Sequence, residues 1–321
     1  MVLVTGGTGF IGTHLLEHLT KSGEEVRALV RRTKAPRVLL AGVQVVHGDL
    51  ASGAGLDDAL RGVDAVIHLA GVTKALHSDD YYAGNVRATE QLTRAMAGRG
   101  IRLVHVSSLA AIGPSSGRVP VGEDAEPHPL THYGKSKLAA ERVVRDLVPG
   151  AVIVRPPVVY GPRDTDVFQL LKSISKGLVL EIAGGERWFS AIYVKDLVAG
   201  LIAAVREPRA AGRTYFLAHA KPVSWQQLGD SAARIMARTP RVITVPLGVA
   251  HAVGACAEFW ARATGKPGII SREKIAEAKC MAWTCDTSRA AGELGFIAPT
   301  ALDKGLAETL SWYKEAGWLT Y

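Results

Sequence analysis

The stretch "THYGKSK" at residues 131–137 sets a tyrosine and a lysine four positions apart, the spacing that puts two side chains on one face of a helix. Lys135, two positions from Tyr133, points elsewhere, so Lys137 is the lysine that can partner the phenol. A free tyrosine titrates near ~10, too high for efficient proton transfer at neutral pH, and an adjacent ammonium would favour its phenolate. Upstream, the run "LVHVSS" ends at Ser107 and Ser108. A serine hydroxyl there would hold a substrate oxygen in line with Tyr133, and Ser108 is assigned that role. Ser108, Tyr133 and Lys137 form a candidate set for proton transfer at a carbonyl or carbinol oxygen. A surface tyrosine and lysine with capping serines would look the same in isolation, so the rest of the chain decides.

The first apolar run ends in "TGGTGFIG", with Gly6, Gly9 and Gly12 spaced three apart as a helix begins. Glycine at such a turn permits positive φ, lets backbone N–H groups approach a pyrophosphate, and allows close helix packing at Gly12. The run "EVRALV" ends in Arg31 and Arg32 where an acidic residue would hold the ribose hydroxyls of NAD. Two arginines there suit a 2′-phosphate, so NADP(H) is expected over NAD(H), which stays possible; the plainer alternative is a solvated loop. Asp49 in "HGDL" is placed to accept from the adenine amino group. Leu69 and Ala70 in "HLAG" leave room for sugar and phosphates. Ser107 is then assigned to the cofactor, and an oxidised nicotinamide near Tyr133 would further stabilise its phenolate. Gly134, costly inside a helix by roughly 1 kcal/mol, is attributed to close cofactor approach. His68, inside an apolar run, is read as a satisfied core residue.

Positioning these groups requires strands that end together at one sheet edge. Short Val- and Ile-rich runs, "MVLV", "EVRALV", "VQVVHG", "DAVIHLA", "IRLVHVSS" and "AVIVRPP", lack strict alternation and suit parallel strands covered on both faces. Helical stretches lie between them, so the fold class is α/β, a doubly wound parallel (Rossmann) sheet over residues 1–162. After Pro162 the pattern loosens, and 163–321 are expected to form a smaller α+β substrate lobe, with segments near 188–218 returning to the main sheet. The apolar stretch "VPLGVAHAVGACAEFW" is interrupted by His251 and Glu258 and is expected to line an apolar pocket, not to meet a membrane. Lys195-Asp196 and Arg163-Asp164 are assigned structural or surface roles.

Composition agrees with a soluble globular protein: of 321 residues 48% are hydrophobic and 21% charged. Three cysteines without ligand spacing read as reduced thiols, and the immediate entry into a strand leaves no room for a secretion signal, so a cytoplasmic protein is expected. The net charge of +8 is scattered and not interleaved with aromatics, which argues against nucleic acid.

These residues together resemble the extended short-chain dehydrogenase/reductase family, also called the NAD(P)-dependent epimerase/dehydratase family. The matching pieces are Thr5-Gly6-x-x-Gly9-x-x-Gly12, "GDL", "HLAG", Asn85 in "NVRAT", "VSS", Tyr133-x-x-x-Lys137, "RPPVVYGP" and "YVKDL", with "WTCDTSRAAGELGF" near the C-terminus. The resemblance implies a Ser/Tyr/Lys catalytic set at Ser108, Tyr133 and Lys137. It also implies cofactor contacts from Phe10, Ile11, Leu50 and Pro156, and a homodimer through paired long helices. Nucleotide-sugar members usually carry an Asn two residues before the Tyr of "VYGP"; here that position is Val158. "RPPVVYGPRD" is similar to the branch containing 3β-hydroxysteroid dehydrogenases and dihydroflavonol reductases. The expectation is therefore an NADP(H)-dependent oxidoreductase acting on a ketone or secondary alcohol of a fairly apolar small molecule. A nucleotide-sugar epimerase or dehydratase is the alternative, and a non-catalytic cofactor-sensing module the third.

Overall fold

The computed structural model describes residues 1–31, 41–117, 119–265, 268 and 271–321. Strand β1 (Val2–Thr5) leads into α1 (Phe10–Lys21), followed by β2 (Val26–Val30), β3 (Val43–His47), α2 (Leu56–Leu60) and β4 (Ala65–His68). The next helix runs as α3 (Ser78–Tyr81), a π-helical turn at Tyr82–Arg87, and α4 (Ala88–Met96). Then come β5 (Arg102–Val106), α5 (His132–Leu147), β6 (Val152–Val154), β7 (Val158–Tyr160), α6 (Val167–Ser175) and β8 (Leu178–Ile182). After β9 (Trp188–Phe189) and β10 (Ala191–Tyr193) follow α7 (Val194–Arg206), β11 (Thr214–Tyr215), β12 (Val223–Ser224), α8 (Trp225–Ile235) and β13 (Arg241–Val245). The chain closes with α9 (Leu247–Thr264), α10 (Arg272–Lys279), β14 (Ala282–Trp283), α11 (Ser288–Leu294) and α12 (Leu302–Glu315).

Seven parallel strands form the main sheet in the order β11-β6-β5-β4-β1-β2-β3. Neighbouring residues of each strand enter opposite cores, which is why the apolar runs do not alternate. Val4, Ile67 and Val104 pack with Leu15, Leu19, Leu197 and Leu201 of α1 and α7. Leu3, Val66 and Leu103 pack with Leu60, Leu92 and Val144 of α2, α4 and α5. The strand order reverses between β1 and β4, and in such sheets the crevice at that point, past the strands' carboxyl ends, takes the ligand. β11 pairs with β6, carrying residues 214–215 into this sheet.

A second core, built on Tyr160, Leu171, Phe189, Tyr193, Leu228, Leu306 and Tyr313, joins α6, α8 and α12 to the short strands. Asp164 caps α6 by accepting from the Asp166 and Val167 N–H groups at 3.0 and 2.8 Å. Arg163 pairs with Glu17 of α1 at 2.6 Å, Lys195 with Glu308 of α12 at 2.7 Å, and Asp196 accepts from both Thr300 donors. These four charged groups hold elements together.

Candidate functional site

The turn after β1 is shaped by two close approaches. Gly6 has φ +72°, and a Cβ there would lie 2.7 Å from the Ala70 nitrogen at the end of β4; a Cβ on Gly12 would lie 2.2 Å from the Gly6 carbonyl oxygen. Helix α1 begins at Gly9 with no side-chain cap and no acidic residue in its first turn. Its leading N–H groups, on Phe10, Ile11 and Gly12, therefore face outward with the positive end of the helix dipole, the chemistry that holds a pyrophosphate. Arg31, exposed, directly follows β2, and β2 ends without an acidic residue. Arg32 lies outside the described residues.

The adenine-side candidates lie past the strands' carboxyl ends: Asp49 and Leu50 follow β3, and Leu69 and Ala70 follow β4. One Asp49 oxygen already accepts the Ala51 N–H at 2.9 Å. His68 is buried, with its ring nitrogens 2.6 and 2.9 Å from the Thr5 and Thr89 hydroxyls, a satisfied core histidine. Burial, then the charge of Lys137, pulls its pKa down to about 3.

At the other end, Lys137 is buried and donates to the Val106 carbonyl of β5 at 2.8 Å. Burial lowers its pKa to about 8 against the raising influence of Glu141, which leaves it a cation at neutral pH. Tyr133, half-buried one turn earlier on α5, has its phenol pushed above the ordinary value by burial, opposed by a hydrogen bond from Ser108 and by the charge of Lys274. Burial outweighs both, and the lowering expected from Lys137 is not among the leading influences on the phenol. Ser108 also caps the short helical turn over 109–111 by accepting the Ala110 N–H at 3.1 Å, which fixes it beside Tyr133. Pro156, whose carbonyl accepts the Leu109 N–H at 2.9 Å, belongs to the same corner.

Two sequence assignments need a different cause. Ser107 is buried, and its hydroxyl donates to Glu141 at 2.6 Å, so that proton is engaged inside the protein and not offered to a cofactor. A Cβ on Gly134 would lie 2.3 Å from the Ala110 carbonyl oxygen: the glycine is required by the backbone that carries Ser108, not by a ligand.

Three features have no role assigned from the sequence, although Asn85 is among the residues that carry the family resemblance. Asn85, in the π-helical turn and buried, accepts from the Val72 N–H at 2.7 Å and donates to the Val72 carbonyl and the Ser136 hydroxyl at 3.0 and 2.9 Å. It thereby staples the loop after β4 to α5 beside Lys137, and π-helical turns recur at functional sites. Glu141, buried, receives Ser107 together with Arg155 at 2.9 and 2.7 Å and Arg145 at 3.0 Å. Burial alone would raise its carboxyl, but Arg155, Ser107 and Arg145 hold it below the usual carboxylate range. The third is α10, whose Glu273 and Glu277 accept from the His132 N–H at 2.9 Å and the Thr131 hydroxyl at 3.3 Å, strapping the start of the Tyr133 helix.

Tyr133 opens on a cleft of about 580 Å³ whose lining is largely polar, including Lys74, His77, Glu258, Glu273, Lys274 and Glu277. The apolar wall expected from residues 245–260 is not there: of that stretch only Glu258 lines the cleft, while Val249, Val253, Phe259 and Trp260 are exposed. The 3.6-residue periodicity of α9 turns its apolar side outward and its glutamate inward. Among the described residues no cluster of His, Cys, Asp or Glu could hold a metal ion, and no helix is long and apolar enough to cross a membrane.

A model of the NAD dependent epimerase/dehydratase family matches residues 2–218. The chain is 32% identical over 320 residues to the ceramide reductase of Caulobacter vibrioides, covering 99% of this chain and 96% of that one. It is 28% identical to the N-acetyl-alpha-D-glucosaminyl-diphospho-ditrans,octacis-undecaprenol 4-epimerase of Escherichia coli O157:H7, covering 97% and 94%. The solved structure of MoeE5 in complex with UDP-glucose and NAD superimposes with a TM-score of 0.79 at 26% identity, covering 98% of this chain and 99% of that one.

Proposed function

The chain belongs to the NAD-dependent epimerase/dehydratase family and is an NAD(P)-dependent oxidoreductase of the extended short-chain type; from that premise we propose its substrate, cofactor preference and catalytic residues. The substrate is a long-chain amphiphile that presents a ketone or secondary alcohol at its polar end. The observation that carries this is the placement of Tyr133, with Ser108 beside it, at a cleft lined by Lys74, Glu273, Lys274 and Glu277. Lys274 pairs with Glu277 at 2.7 Å and Lys74 with Asp166, and a steroid or flavonoid would strip water from these pairs with nothing polar in exchange, a cost that a hydroxylated, amide-bearing or charged head group reduces. Ceramide and an undecaprenol diphosphate, the compounds named for two relatives, are lipids of this kind.

The uncapped start of α1 with Gly6, Gly9, Phe10, Ile11 and Gly12 would hold the dinucleotide phosphates, with Asp49, Leu50, Leu69 and Ala70 at the adenosine and Pro156 at the nicotinamide. Arg31, at the end of a strand that lacks an acidic residue, supports NADP(H) as the preferred cofactor. Bound there, the cofactor supplies or accepts a hydride. Ser108 donates to the substrate oxygen and holds it against Tyr133, and Tyr133 gives or takes the proton at that oxygen. Lys137, a buried cation one turn along α5, stabilises the phenolate that remains, and Asn85 keeps the adjoining loop and helix in register. Residues from 73–81, with Glu258, Ala261 and residues from 271–277, together supply the head-group side of the cleft.

A second use of the same residues, 4-epimerisation of a diphosphate-linked sugar, is favoured by Lys74 and Lys274 in the cleft and opposed by Val158, which offers no hydrogen bond. Following nicotinamide absorbance with NADPH and NADH over long-chain 3-keto amphiphiles in micelles, steroids, flavanonols and diphospho-sugars separates the readings. Turnover of the keto amphiphile with NADPH is expected. Turnover confined to steroids or flavanonols, or epimerised sugar without net cofactor change, contradicts it.

A further inference from the structure

Helix α9 presents an apolar stripe to water. Val249, Val253, Cys256 and Trp260 follow one another at helical spacing with Phe259 alongside, and all are exposed, Phe259 by 72% and Trp260 by 67%. The one acidic residue of the helix, Glu258, is turned inward, where it accepts the Arg272 backbone N–H at 2.8 Å and pairs with that residue's guanidinium at 3.2 Å. The strand leading into α9 adds Val242 and Ile243, 57% and 49% exposed. Seven of the fifteen exposed large apolar side chains among the described residues fall within 242–281, a concentration that marks an interaction surface.

We propose that α9 and the end of β13 form a docking face that seats the protein on an anionic phospholipid surface. Exposed Phe and Trp on a helix too short in apolar content to span suit burial at the level of the lipid head groups. The surrounding charge selects the partner: residues 241–281 carry six Lys or Arg against three Glu, with Arg241, Arg272 and Lys279 exposed, in a chain of net charge +8. A second copy of the chain would meet this excess with its own, whereas anionic lipids complement it. Glu258 and Ala261 line the Tyr133 cleft from the inward side of the same helix, so docking brings the cleft within a helix width of the bilayer. On the reading that the substrate is a long-chain amphiphile, its head reaches Tyr133 while its chains remain in lipid.

The test is sedimentation of the full chain with vesicles of phosphatidylcholine containing about 30 mol% phosphatidylglycerol, against phosphatidylcholine alone, without substrate. Phe259→Ser/Trp260→Ser should lower the bound fraction at least about tenfold while leaving the melting temperature and turnover of a water-soluble short-chain ketone unchanged. Bromine-labelled lipid should quench the fluorescence of the wild type more than that of Trp260→Phe, which stays bound. Failure to sediment, equal binding to neutral vesicles, or full binding by the double variant overturns the proposal. So does a wild-type dimer that the double variant dissociates, which would assign the face to a second copy. Vesicle binding by a protein that reduces no ketone would support docking and reject the substrate reading, so the two fail separately.

Discussion

Ser107 donates to Glu141 across 2.6 Å, joining the residue just past β5 to the helix that carries Tyr133 and Lys137. Arg155, from the segment after β6, closes on the same carboxylate with two bonds at 2.9 and 2.7 Å. A strand end, a helix and a neighbouring strand end are thus pinned at one buried point, and Ser108 is the next residue along.

Glu141→Gln should therefore disturb both fold and chemistry. Leaving Arg155 without its buried counter-charge costs about 3–5 kcal/mol, and kcat should fall more than cofactor affinity because the phosphate end is untouched. Denaturant melts and steady-state kinetics read both; an unchanged midpoint together with unchanged kcat would show that the network positions nothing.

Lys137→Met trades function for stability. The buried ammonium titrates at about 8 in the fold against the ordinary 10.5, so the unfolded chain binds its proton more tightly. Wild-type stability is reduced below pH 8 and recovers as pH rises from 8 towards 10.5. The variant escapes that cost, at most roughly 3 kcal/mol, and loses about 1 kcal/mol by stranding the Val106 carbonyl. It should be the more stable protein at pH 7, by a margin that shrinks towards pH 10, and inactive throughout. A margin that stays level with pH would sink the assignment of a buried cation.

His105 lies fully buried in β5 with neither ring nitrogen hydrogen-bonded, and burial, then Lys137 and His68, holds its pKa well below 6.5. Such a histidine supports folding above pH 6.5 and loses that support as pH falls, because only the unfolded chain can take the proton readily. His105→Leu should stabilise the protein, and by about 2 kcal/mol more at pH 5 than at pH 8. Chemical denaturation at the two pH values measures the difference; equal effects would mean that His105 is protonated in the fold.

Much of this could be read from the chain because local rules and tertiary packing agreed. The β1 turn, the strands that end at His68 and just before Ser107, and the start of α5 each follow from residue types in one short segment. The polar cleft could not be read, since Glu273, Lys274 and Glu277 come together with Tyr133 from about 140 residues away and no periodicity announces it. Residues 245–260 misled for a related reason: an apolar run reports that a helix has an apolar side but not whether protein or lipid covers it. Gly134 and Ser107 showed the right positions with the wrong cause, because backbone crowding by Ala110 and a buried carboxylate at 141 leave no mark on their own neighbours in sequence.

Cofactor choice rests on the end of β2. Arg31→Ser should weaken NADPH binding roughly tenfold or more and leave NADH binding within about twofold, since one charge-assisted contact to a phosphate is lost. Fluorescence titration of both cofactors checks it, and tighter binding of NADH than NADPH by the wild type would remove the preference altogether.

The most direct test is Tyr133→Phe, which deletes one oxygen at the mouth of the cleft. Single-turnover reduction of a long-chain 3-keto amphiphile, with NADPH affinity measured alongside, should show unchanged cofactor binding and a rate lower by roughly 10²–10⁴-fold. Turnover at the wild-type rate would contradict the assignment of proton transfer to Tyr133.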